Sequence, residues 1–168
     1  SAASDVYKRQ ECDREGLALP LLQQLSAKDW RDVSLEVLED HLKNAPDPQE
    51  TDLWACAEIA NPRVENEMLT PYRSFFKKVI SKEEAGEFIK EPIRLVEWCK
   101  KEIQINNELN SQRIPMSPIG VWKARVADEK SRDIFFVAMA RTLGIPARID
   151  KVTGKVQYTD KELSLIHI

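Results

Sequence analysis

Asp128-Glu-Lys-Ser-Arg-Asp-Ile-Phe-Phe-Val-Ala-Met-Ala-Arg-Thr-Leu-Gly-Ile-Pro-Ala-Arg148 is the stretch on which the fold turns. Phe135, Ala138, Met139, Thr142 and Leu143 fall at i, i+3, i+4, i+7 and i+8, the spacing of one helix face. Ile134, Phe136 and Val137 make the other faces apolar as well, so this helix is expected to be buried on several sides. The pattern predicts a helix over residues 130–143. Asp128 is placed to cap it, and Glu129 to complement the positive end of its dipole. Gly144 stands where a left-handed C-cap is expected, and Pro146 forbids continuation. Residues 148–152 then read as a strand and Thr153-Gly154 as a turn. Residues 155–158 read as a returning strand with Val156 and Tyr158 on one face.

Working outward, the N-terminal half reads as helical. Ser26 with Asp29 makes a capping-box pattern before Trp30. Ser34 is a cap candidate for a helix with a Leu35, Leu38, Leu42 stripe that ends before Pro46 and Pro48. Residues 51–59 suggest another helix, stopped by Asn61-Pro62. Thr70-Pro71 combines a capping hydroxyl with proline at a first helical position, and Phe75, Phe76, Val79 and Ile80 supply an apolar side. Pro92 opens a further pattern carrying Ile93, Val96, Cys99 and Ile103. Residues 106–120 read as a loop, and residues 121–126 as a short strand or extended lead into the main helix.

A length of 168 residues favours one domain. With 25 basic and 28 acidic residues and a net charge of -3, the chain shows no electrostatic footprint for nucleic acid. No apolar run approaches the roughly 20 residues needed to span a bilayer. Cys12, Cys56 and Cys99 are odd in number and scattered, without disulfide or metal spacing, so neither a metal nor another cofactor is expected. Both ends look foreign: Ser1 to Gln10 and Leu163 to Ile168 resemble translated sequencing-adapter read-through. The expected organisation is therefore a non-native segment at 1–10, a helical region at 11–110, a sheet-bearing core at 111–162 and a non-native tail at 163–168.

Gly144-Ile-Pro-Ala-Arg148 behind an arginine-bearing apolar helix resembles the nucleophile helix of the transglutaminase-like superfamily, whose fold is related to papain-like cysteine proteases. The likeness covers about residues 61–158. It includes Asn61-Pro-Arg-Val64, Glu67-Met-Leu-Thr-Pro-Tyr-Arg73, Phe75-Phe76, Pro115-Met-Ser-Pro-Ile-Gly-Val121 and Ser131-Arg-Asp-Ile-Phe-Phe-Val-Ala138. These phrases are similar to a subgroup of large transglutaminase-like proteins of gut-type Bacteroidetes, whose helix often opens in Ala-Asp-x-x-Ser-Arg rather than Gly-x-Cys. The resemblance implies an α+β fold: a helix-rich N-terminal fragment of the papain-like architecture with a truncated sheet. It also implies an extracytoplasmic setting, within a larger secreted or lipid-anchored protein. Arg141, Gly144, Pro146 and Arg148 match the family's structural phrase, the two arginines being expected to pair with carboxylates.

In that family a catalytic Cys opens the helix fifteen residues before the Gly. Counting back from Gly144 gives Glu129. The family reaction needs a thiolate made acidic by the helix dipole, followed by a His and an Asp. A carboxylate attacks an amide poorly, so Glu129 is expected to complement the dipole, with a binding or general-base role as the alternative. Ser131 is the other candidate nucleophile, with a first-turn structural hydroxyl as the blander role. Cys56 and Cys99 sit in apolar helical patterns and are expected in the core. His41 precedes the helix and is expected at the surface or partly buried. His167 falls in the segment set aside as non-native. Trp122 is placed either to wall a cleft or to pack.

The functional expectation is a catalytically silent transglutaminase-like module that binds a protein, peptide or glycan in its cleft, or acts as a scaffold within a larger protein. The alternative is an acyl-transfer or amide-hydrolysing enzyme using an atypical nucleophile such as Ser131, with its His and Asp beyond the segment at hand. A weaker third reading is a purely structural domain.

Overall fold

The computed structural model describes residues 27, 33–46, 58–59, 61–159 and 165–167. The fold is helix-rich α+β. The helices with described bounds are α1 (Leu35–Lys43), α2 (Tyr72–Val79), α3 (Lys82–Lys90), α4 (Ile93–Glu102), α5 (Pro118–Ala124) and α6 (Glu129–Thr142). The strands are β1 (Gln104–Ile105), β2 (Val126–Ala127), β3 (Ala147–Ile149), β4 (Val156–Thr159) and β5 (Leu165–His167).

Helix α6 is the centre. Ile134, Phe135, Val137, Ala138, Met139 and Ala140 have no exposed surface at all. Asp128 caps it in an extended conformation, its carboxylate accepting from the backbone N–H of Ser131. At the far end Gly144 adopts φ +85°, and the N–H of Ile145 reaches back to the carbonyl of Ala140. This is the left-handed C-terminal closure that glycine allows. Phe76 of α2 and Trp98 of α4 pack on Phe135, and Tyr158 of β4 packs edge-on against Phe136.

Two small sheets flank the helix. β1 and β2 pair in parallel, Gln104 opposite Val126 and Ile105 opposite Ala127. The second sheet is antiparallel, in the order β3-β4-β5, with Ala147 opposite Tyr158 and Gln157 opposite His167. Asp150 turns the chain between β3 and β4, its carboxylate accepting from the N–H and hydroxyl of Thr153. The tail set aside as non-native thus supplies the third strand.

Several expectations need correction. In the lead-in at 121–126, residues 121–124 are helical rather than a strand or extended lead, and only Val126 is in a strand: Ser117 caps α5, with Pro118 at its first position and Arg125 in the left-handed region at φ +57°. The 106–120 loop also holds a 3-10 turn at Asn107–Asn110. Strand β3 ends at Ile149 rather than at 152, because Asp150 already begins the turn. In α1 the leucine stripe packs only in part, Leu38 and Leu42 being half-buried. Leu35 is 70% exposed, whereas Val37 and His41, one turn apart, are buried. In α2 Thr70 does not cap. Pro71 holds the cap position, and the hydroxyl of Thr70 has no partner among the described residues. Instead Asp40 of α1 accepts from the N–H of Ser74 at a long 3.4 Å. Cys12, Cys56, the Ser26–Asp29 pattern and most of the 51–59 helix lie outside the described residues; Glu58 and Ile59 are helical.

Candidate functional site: the cleft at the start of the central helix

An open cleft of about 510 Å3 lies at the N-terminal end of α6. Among the described residues its lining is Glu65, Asp128, Glu129 and Asp133, with Lys130 as the one cation, together with Asn107, Ile149 and Gly154. Lys130 Nζ pairs with Glu65 Oε1 at 3.0 Å. Both groups are substantially exposed, a setting in which such pairs contribute little.

Glu129 is the first residue of α6 and is exposed. Its backbone N–H, one of the donors a helix start leaves over, donates to Asn107 Oδ1 at 2.9 Å. The side chain of Asn107 therefore sits at the position where a helix start would otherwise offer that donor to an incoming anion.

Ser131 lies one turn in and is fully buried. Its hydroxyl donates to Asp128 Oδ1 and accepts from the N–H of Met116 at 2.9 Å. The second carboxylate oxygen of Asp128 accepts from the N–H of Ser131. Both roles of the hydroxyl are taken, and no surface is left for a substrate. Ser131 is a joint between α6 and the segment before α5.

Asp133 faces both the cleft and a small cavity of about 30 Å3 between α4 and α6, lined in part by Cys99, Arg132 and Phe136. Burial first, and then Glu129, Glu65 and Asp128, push its carboxyl up to about 6 against the pull of Arg132. Cys99 is buried, and burial pushes its thiol up to about 12. At neutral pH it is a neutral core thiol, and the thiolate is what attacks.

Behind the cleft, Arg141 is a buried fork. Nε donates to the carbonyl of Ala147, Nη1 to the carbonyls of Asn61 and Arg63, and Nη2 to Glu58 Oε2, all at 2.9 Å. Arg148 donates to Gln157 Oε1 at 2.9 Å and lies 4.0 Å from Glu58. Glu67, also buried, folds the 61–67 turn by accepting from the N–H groups of Val64 and Glu65. Pro146 is buried, and its carbonyl accepts from the N–H of Thr159.

Trp122 packs rather than walling the cleft. It stacks on Trp98 at 5.4 Å, and the Arg125 guanidinium covers it at 4.1 Å. His41, expected at the surface or partly buried, is fully buried: it has no exposed area and is bonded on both ring nitrogens. Its partners are 29 and 32 residues away, so helical periodicity carries no sign of them. Asn107 was also missed, for the same reason. His167 lies in β5. Among the described residues no group of three His, Cys, Asp or Glu side chains is arranged to hold a metal ion, and no helix is long and apolar enough to cross a membrane. No protein-family model, curated protein or solved structure matches the chain.

Proposed function

We propose that this chain is a catalytically silent transglutaminase-like module of papain-like architecture. It acts in binding or scaffolding within a larger extracytoplasmic protein, and its cleft takes a protein, peptide or glycan segment. The observation that carries the reading is the start of α6. Where the resemblance calls for a thiol stands Glu129, and the backbone donor of that same residue is already taken by Asn107. A carboxylate there neither attacks an amide usefully nor gains from general-base help as a thiol does. Burial of the Ser131 hydroxyl supports the silent reading over a serine enzyme.

The test is amine incorporation and amide hydrolysis on generic protein substrates, with the Ser131→Ala protein beside the unaltered chain. No turnover above background is expected from either. Turnover by the unaltered chain that disappears in Ser131→Ala overturns the proposal and makes this a serine enzyme.

A further inference from the structure

Among the described residues, helix α1 meets the rest of the molecule over little apolar surface. Val37 is its one buried aliphatic residue, and Leu42 packs with Ala45 in a small cluster apart from the main core. Its main anchor among the described residues is polar. His41 has no exposed area, lies edge-on against the ring of Tyr72 at 4.6 Å, and is gripped at both nitrogens. The guanidinium of Arg73 carries only donors, so its Nε–H donates to Nδ1 of His41 at 3.0 Å, and Nδ1 must be bare. The ring proton is therefore on Nε2, which donates to the carbonyl of Thr70 at 2.9 Å.

A second proton has only Nδ1 to go to. There it abolishes the bond from Arg73 and sets imidazolium against guanidinium, about 3 Å apart and away from water. Among the described residues, the groups facing this site give Nδ1 no acceptor for that proton. From α2 come Arg73 itself and Tyr72, whose hydroxyl donates to the carbonyl of Pro62. From α1 comes Asp40, whose carboxylate accepts from Ser74 and Asn44. Glu67, Arg141 and Asp40 act on the Tyr72 hydroxyl, and Arg141 and Asp40 act on Arg73 as well.

We infer that α1 is an acid-released element: it docks on α2 through a neutral His41, and protonating that ring frees the helix while the α6 core stays folded. Burial and Arg73 hold the imidazole at about 3 in the docked state, against 6.5 when free. The free form therefore binds the extra proton throughout that window. By linkage the α1 opening constant rises about 25-fold from pH 7 to pH 5.

The experiment is amide hydrogen exchange across pH 7 to 4 on the whole chain, with the 15N shifts of the His41 ring followed in parallel. After correction for intrinsic exchange, protection of α1 amides is expected to fall about 25-fold between pH 7 and pH 5. It should remain at least about tenfold below that of α6 amides at every pH, as separate opening requires. The ring should stay in the neutral Nε2–H form below pH 5 while α1 is docked. In His41→Gln, which cannot take the proton, the pH slope of α1 should vanish. Equal protection of α1 and α6 at each pH overturns the inference, because release is then global. So does ordinary titration of His41 near 6.5 with α1 still protected, or a slope that persists in His41→Gln. If the Gln variant fails to fold, the unaltered chain still decides through the first two readings.

Discussion

Arg141 is where a single side chain does most to hold the cleft's supports together, and its replacement by Lys separates charge from shape. The guanidinium makes four 2.9 Å bonds in three directions, to β3, to the 61–63 turn and to Glu58. Its side chain is 3% exposed and that of Glu58 21%. Arg141→Met keeps the length and leaves three carbonyls and a carboxylate without their donor. Breaking a buried pair by removing one partner costs about 3–5 kcal/mol. That is a large share of the roughly 5–15 kcal/mol by which domains are stable. Arg141→Lys keeps the charge, but a single ammonium cannot span three directions as the planar fork does. If geometry dominates, Lys loses about 3–6 kcal/mol, close to Met, since hydrogen bonds from a charged donor are worth about 1.5–3 kcal/mol each and two are lost. If the Glu58 attraction dominates, Lys keeps nearly everything, and Glu58→Gln alone reproduces the loss seen in Met. Urea unfolding of the three variants, by tryptophan fluorescence and circular dichroism, makes the measurement. A Lys variant within about 1 kcal/mol of the unaltered chain refutes the reasoning, because one bond to a charged donor already exceeds that.

Phe135→Ala should cost about 3–5 kcal/mol in the same urea assay, the range for a large core truncation. The ring has no exposed area and meets Phe76 at 5.6 Å and Trp98 at 6.0 Å, so a loss under about 1 kcal/mol would show that α6 is not central. Gly144→Ala should cost about 1–3 kcal/mol from the left-handed backbone, with a further clash because its new Cβ would lie 3.2 Å from Pro46 Cβ. Gly86→Ala, in α3 with nothing within 4 Å, should instead gain about 0.5–1 kcal/mol; equal effects at the two sites would refute the conformational argument. Asp133→Asn should stabilise at pH 7, and the gain should fade toward pH 4. The folded pKa, about 6, lies above the ordinary 3.8, so the folded state keeps a proton the unfolded chain releases, and that advantage is lost as pH rises through 6. Urea midpoints of the two proteins at pH 4.5 and pH 7 test this, and a gain that does not grow with pH refutes it.

Local rules carried the reading where signals were local. Asp128 before the apolar run, Gly144 after it and the turn at Thr153-Gly154 lie within a few residues of what they control, and helix and hairpin follow. Elements defined by distant partners did not show. The parallel pairing of β1 with β2 joins residues 22 apart through two residues each, too short for any period. The burial of His41 in α1 follows from Thr70, Tyr72 and Arg73, partners that the leucine spacing does not reveal. One miss had a readable signal: Ser117-Pro118 is a cap followed by proline at the first helical position.

The same division explains how the candidate site is built. Helix α6 is apolar from Ile134 to Ala140, so packing fixes its depth but says little about its two ends, where backbone groups are left over. Each end is tied by polar contacts to segments remote in sequence. At the start, Asp128, Ser131 and Asn107 join the helix to the residues before α5 and to the turn after β1. At the finish, Arg141 joins it to β3 and to the turn at 61–63. Glu65 belongs to the same 61–67 turn, which Glu67 folds and Arg141 anchors, and it reaches the cleft to meet Lys130. The acidic rim is thus positioned from the opposite end of the central helix. A change at Arg141 should therefore alter the cleft as well as stability, although no atom of Arg141 lines it.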